Sequence, residues 1–114
     1  MKIQRAEDIP ASRVEQDGAK GVQIRLLITE ADGAPNFRMR QFTVAPGGHT
    51  PRHAHPWEHE VYVLSGGGVV FGPEGDRPAR PGDCIDVPPG EEHQFANAGE
   101  GELKFLCLVP KTAG

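Results

Sequence analysis

The chain has only five histidines, and four of them, His49, His53, His55 and His59, fall within eleven residues; the fifth is His93. On an extended segment side chains alternate with a period of two, so His53-Ala54-His55 presents both imidazoles to one face. That spacing suits two ligands of one metal ion. After Pro56-Trp57-Glu58, His59 opens the next apolar run. If His59 faces inward, so do Val61 and Val63, while Glu60 faces the other way. His93 follows the turn Pro88-Pro89-Gly90 and shares its face with Phe95 rather than Gln94. Imidazole is the commonest metal-binding side chain and suits Zn, Cu, Fe, Ni and Mn. Four neutral imidazoles on an octahedral ion leave positions open for water, substrate or dioxygen. Structural zinc sites are instead closed and usually contain thiolate, and Cys84 and Cys107 are far from CxxC spacing. A single His-x-His is ordinarily a polar surface pair. Here the company of two more histidines makes His53, His55, His59 and His93 the expected ligands of one divalent transition metal.

The elements that must position these ligands read as short strands. Val22 to Ile28 is β-branched and aliphatic and ends at Glu30-Ala31-Asp32-Gly33, a turn signal. Phe37 to Val44 alternates, with Arg38 and Arg40 on one face and Phe37 and Met39 on the other, and is expected to stop at Pro46-Gly47-Gly48. Val61 to Leu64 and Val69 to Phe71 flank Ser65-Gly66-Gly67-Gly68, a β-hairpin pattern. Cys84 to Val87 lies between Pro81-Gly82 and Pro88-Pro89-Gly90, and Leu103 to Val109 closes the series before Pro110. Many short strands, each closed by Gly or Pro, predict an all-β antiparallel barrel or sandwich. Residues 1–20 are more polar and read either as an edge strand or as an arm that packs on a partner subunit.

Length and charge narrow the functional classes. With 114 residues the chain is one domain, 1–114, large enough to keep a core without disulfides. Its 12 basic and 16 acidic residues give a net charge of −4 with no basic stripe, so nucleic acid is not an expected partner. No apolar run approaches membrane-spanning length. The N-terminal Met1-Lys2-Ile3-Gln4-Arg5-Ala6-Glu7-Asp8 lacks the apolar core of a signal peptide, which predicts a cytoplasmic protein. Both cysteines sit in apolar stretches and are expected to be buried free thiols.

These residues resemble the two motifs of the cupin superfamily, G(X)5HXH(X)3-4E(X)6G and G(X)5PXG(X)2H(X)3N. The first, spanning 47–66, runs Gly47, His53-Ala54-His55, His59, Gly66. The second, spanning 82–97, runs Gly82, Pro88-Pro89-Gly90, His93, Asn97 and matches at every position. The resemblance implies an antiparallel jelly-roll β-barrel (a double-stranded β-helix) with one metal in its mouth. One departure stands out: His59 occupies the place where most cupins have a glutamate. A rival register with four intervening residues restores the glutamate as Glu60 and closes on Gly67. The hairpin Leu64-Ser65-Gly66-Gly67-Gly68 resembles the family's Leu-Glu-Gly-x-Gly and favours His59, and the stretch His53 to Leu64 is similar to small cupins with four-histidine sites. An imidazole in place of a carboxylate leaves the centre one unit more positive, which favours anionic ligands and makes metal-bound water more acidic.

Around the ligands, Cys107 alternates with Lys104 and is expected either to line the cavity or to fill the core as a small hydrophobe. Trp57 either walls the mouth or packs under its loop. Glu58 and Glu60 flank His59 and offer surface or outer-sphere roles; His49 reads as an exposed loop residue, and Cys84 shares a face with Asp86. The candidate catalytic residues are therefore Cys107, Glu60 and Trp57. The resemblance admits a metal-dependent oxidoreductase of dioxygenase type, with Mn, Fe or Cu favoured. It also admits an isomerase or lyase using the ion as Lewis acid, where Ni or Zn would serve, and a non-catalytic metal or small-ligand binding module. A small-molecule substrate and a homodimer are expected in each case.

Overall fold

The computed structural model describes residues 1–113. Among the described residues there are nine strands: β1 (Ser12–Arg13), β2 (Lys20–Ile28), β3 (Phe37–His49), β4 (His59–Ser65), β5 (Gly68–Gly72), β6 (Gly75–Ala79), β7 (Cys84–Val87), β8 (Gln94–Asn97) and β9 (Leu103–Pro110), with short 3-10 turns at Ala6–Asp8 and Glu30–Asp32. All strands pair antiparallel in a curled sheet of order β6-β5-β8-β3-β9-β4-β7, and β2 joins β3 on its other side. This is the jelly-roll barrel that the motifs imply. No helix among the described residues is long and apolar enough to cross a membrane.

Period-two patterning decides which way each strand faces. In β9 the odd positions Leu103, Phe105, Cys107 and Val109 are buried and the even ones are not. In β4 His59, Val61 and Val63 are buried while Glu60, Tyr62 and Leu64 are exposed. Together with Val22, Val44, Val87 and Phe95 the apolar members of these inward sets form one core inside the barrel.

Strand β3 is longer than its sequence suggests. It does not stop at Pro46-Gly47-Gly48 but bends there and continues to His49. Phe37 to Val44 pairs with β9, whereas His49 pairs with Ala96 of β8, so the bend lets one strand change neighbours. Gly48 is required at this corner, because a Cβ would sit 2.5 Å from the Lys20 carbonyl oxygen. The facing strand shifts register between Lys20 and Val22, as expected where a bulge absorbs a bend. The N-terminal segment holds one two-residue edge strand, with Ser12 opposite Ile24. Strand β6 has no clear signal in the sequence; it carries Pro78 at the end of the sheet, where a missing N–H does no harm. Cys84 is exposed and not buried as expected, because in β7 it is Ile85 and Val87 that turn inward.

Candidate metal centre

The loop from Thr50 to Glu58 brings the first two histidines to the barrel mouth, and backbone hydrogen bonds hold it against His93, which immediately precedes β8. His53 N–H donates to the His93 carbonyl at 3.1 Å and His93 N–H returns to His53 at 2.9 Å. Gly90 N–H donates to the His55 carbonyl at 2.6 Å, and the positive φ of 80° at Gly90 is what closes the Pro88-Pro89-Gly90 turn. Thr50 completes the clamp: its N–H reaches the Phe95 carbonyl at 2.8 Å and its hydroxyl accepts from Phe95 N–H at 2.9 Å. The register His53 opposite His93 thus places two ligands side by side from distant parts of the chain.

Four imidazoles converge here. Ring centroids are 4.0 Å apart for His53 and His55, 5.0 Å for His53 and His93, and 4.9 Å for His59 with each of His55 and His93. Potential ligand atoms of His53, His55 and His93 lie within 4.8 Å of one another, and His59 falls outside that tight set. The Nε2 atoms of His53 and His55 are 3.0 Å apart. Two nitrogens at right angles on one ion with bonds of about 2.1 Å stand about 3.0 Å apart, so this spacing fits a shared divalent ion. His93 Nδ1 donates to the Glu91 carbonyl at 2.9 Å, which leaves its Nε2 lone pair free to ligate. His59 Nε2 is buried without any hydrogen-bond partner, an orphan that an ion would satisfy.

Burial favours the neutral form of three of these rings, His53, His55 and His59, the form that metal ligation requires. Burial, aided by the neighbouring imidazoles, holds His55 down at about 4 and His59 at about 3, and lowers His53 as well. His59 Nδ1 lies 3.2 Å from Cys107 Sγ, and the Arg40 guanidinium donates to the same sulfur at 3.0 Å. Burial pushes the Cys107 thiol up, against the pull of Arg40.

The histidines open into a cavity of about 350 Å³, also lined by Arg40, Phe42, Trp57, Phe95, Phe105 and Cys107. Trp57 stacks on His55 with centroids 4.6 Å apart and planes within 6°, so it walls the mouth and packs at once. Glu60 is exposed on the opposite face of β4, beside Glu58 in a separate surface hollow with Phe37 and Leu108. His49 is not a loop residue but ends β3, half-buried, with its Nδ1 3.4 Å from the Gln94 amide and outside the cluster. Arg40 is the residue that sequence reasoning passed over. It shares strand parity with Val44, which is fully buried, and that parity was the available signal.

Comparison with known proteins agrees with this architecture. The chain is 30% identical to an oxalate-binding protein of Thermotoga maritima over 112 residues, covering 96% of this chain and 93% of that one. It is 34% identical to a 1-methylthio-D-xylulose 5-phosphate methylsulfurylase of Rhodospirillum rubrum over 71 residues, and spans 46% of that relative's length. Its fold superposes on the polyketide cyclase RemF of Streptomyces resistomycificus with a TM-score of 0.94 and 37% identity, covering 99% of this chain and 81% of RemF. The Cupin_2 family (Cupin domain) matches residues 40–109, and the chain belongs to that family.

Proposed function

We propose that this cupin is a metal-dependent enzyme acting on a small, planar, enolisable organic molecule, with His53, His55, His59 and His93 as the ligands of one divalent transition ion. The observation that carries this reading is a single cavity joining the histidines to one permanent cation, Arg40, and to four aromatic walls. When bound, such an ion supplies Lewis acidity to an oxygen of the substrate and, as Mn, Fe or Cu, redox chemistry as well.

The chain's own residues do the rest. The rings of Phe42, Phe95, Phe105 and Trp57 exclude water and favour a flat apolar substrate. The Arg40 guanidinium stays charged at any working pH and its Nε is buried without a partner, so it supports an anionic enolate or carboxylate oxygen. Cys107 keeps its proton near neutral pH, because burial outweighs Arg40. The likeness to RemF, named a polyketide cyclase, supports a reaction on a β-dicarbonyl carbon skeleton. The likeness to an oxalate-binding protein supports recognition of paired oxygens by the same centre. A dioxygenase-type oxidation of the same substrate is the second reading, favoured by a donor set made only of neutral imidazoles. The exposure of Tyr62, Leu64 and Phe37 on the outer sheet face supports pairing as a homodimer.

The test is to incubate metal-loaded protein with a 1,3-diketone in D2O and follow C–H exchange and ring closure by NMR, with and without oxygen. Exchange that needs metal and ignores oxygen supports the Lewis-acid reading; consumption of oxygen supports the oxidoreductase. Binding without any turnover leaves a small-ligand module and removes the enzyme.

A further inference from the structure

We infer that Cys107, held by Arg40, is the residue that positions His59 for metal binding; the inference rests on the reading of His59 as a ligand. A neutral imidazole has one N–H, so ligation through Nε2 requires the hydrogen on Nδ1 and an acceptor to fix it there. For His93 that acceptor is the Glu91 carbonyl, 2.9 Å away. His59 Nδ1 has Cys107 Sγ instead, at 3.2 Å, while its Nε2 is buried and unpartnered.

Arg40 explains why the sulfur can act as the acceptor. Its Nη2 donates to the same Sγ at 3.0 Å, so the sulfur receives two N–H groups and its own hydrogen turns away from both. The arrangement is locked across three neighbouring strands: Cys107 of β9 stands opposite Arg40 of β3 and opposite Val61 of β4, two residues after His59. Thiol sulfur is a weaker acceptor than a carbonyl oxygen. His59 is accordingly the ligand whose engagement depends on two replaceable side chains, and it is the one that stands outside the tight three-histidine set. The competing account is a thiol that only fills the core, where Cys107 is 2% exposed.

The experiment loads the full chain with Cu(II) and reads two quantities: the nitrogen hyperfine pattern in electron paramagnetic resonance, and affinity by chelator competition. The variants are Cys107→Val, Cys107→Ser and His59→Ala. Cys107→Val is expected to lose about 10–100-fold in affinity and to take on the His59→Ala spectrum, because the acceptor is gone. Cys107→Ser, whose hydroxyl accepts, should return the wild-type spectrum. Where valine strains the strand, Cys107→Ala gives the same reading without a branched side chain. A wild-type spectrum and affinity in the acceptor-free variants, beside a changed His59→Ala, would overturn the positioning role alone. An unchanged His59→Ala would overturn both this role and the four-histidine reading, leaving the His53, His55 and His93 site.

Discussion

Packing several imidazoles into one barrel mouth makes the metal-free protein sensitive to mild acid, and the size of the effect follows from the site. Unfolded, each histidine titrates near its ordinary value of 6.5, whereas in the fold His55 is held at about 4 and His59 at about 3. The unfolded chain therefore binds more protons than the folded one between pH 6.5 and roughly 4, so stability is full above 6.5 and falls as pH falls through that window. Each group held neutral down to pH 5 removes about 2 kcal/mol relative to pH 7.5, at 1.36 kcal/mol per pH unit. His59 counts in full because it is buried, while His55 is half-buried and solvent screening discounts it, which leaves about 3 kcal/mol for the two. Urea denaturation of the chelator-treated protein from pH 7.5 to 5 measures this directly, and His59→Ala should remove about two-thirds of the slope. Flat stability across that range, or stability rising toward pH 5, would refute the claim that these rings are buried neutral.

Other consequences are more local. Asn97→Ala removes donation to the Val44 and Gly101 carbonyls at 2.8 Å each and acceptance from Gly99 N–H at 2.9 Å. With the Val44 carbonyl left buried, it should cost about 3 kcal/mol in denaturant unfolding. The glycines that bound the first motif should differ: Gly66→Ala would drive a Cβ against the Glu102 carbonyl and to 2.8 Å from Leu103 Cα, costing about 3 kcal/mol or more. Gly47→Ala meets nothing within 4 Å and pays only for its φ of 78°, about 1 kcal/mol. With metal saturating, Arg40→Met should raise KM for an anionic substrate at least tenfold more than KM for a neutral analogue, a comparison that steady-state kinetics makes.

Much of this was legible because it depends on alternation and spacing alone. The inward set of β4 and β9, including His59, Phe105 and Cys107, follows from period two, and of the four histidines that the spacing singles out, His53, His55 and His93 have potential ligand atoms within 4.8 Å of one another. What stayed hidden depends on the sheet's edges and bends. The run around Cys84 looks apolar, yet β7 ends the sheet and exposes that side. Asp76-Arg77-Pro78 carries no strand signal because no residue there seeks the core. Pro46-Gly47-Gly48 reads as a stop, although a corner needs the same residues. In sequence Arg40 is only one of two arginines on one face of the strand, while the fold aims it at the sulfur of Cys107.

The central claim is a metal held by the converging histidines, and elemental analysis of the purified and reconstituted protein tests it most directly, run beside His93→Ala and Glu60→Ala. The account predicts one transition-metal ion per chain in the wild type and in Glu60→Ala, and none in His93→Ala. A wild-type protein that takes up no Mn, Fe, Cu, Ni or Zn, or a site emptied by Glu60→Ala, would contradict it.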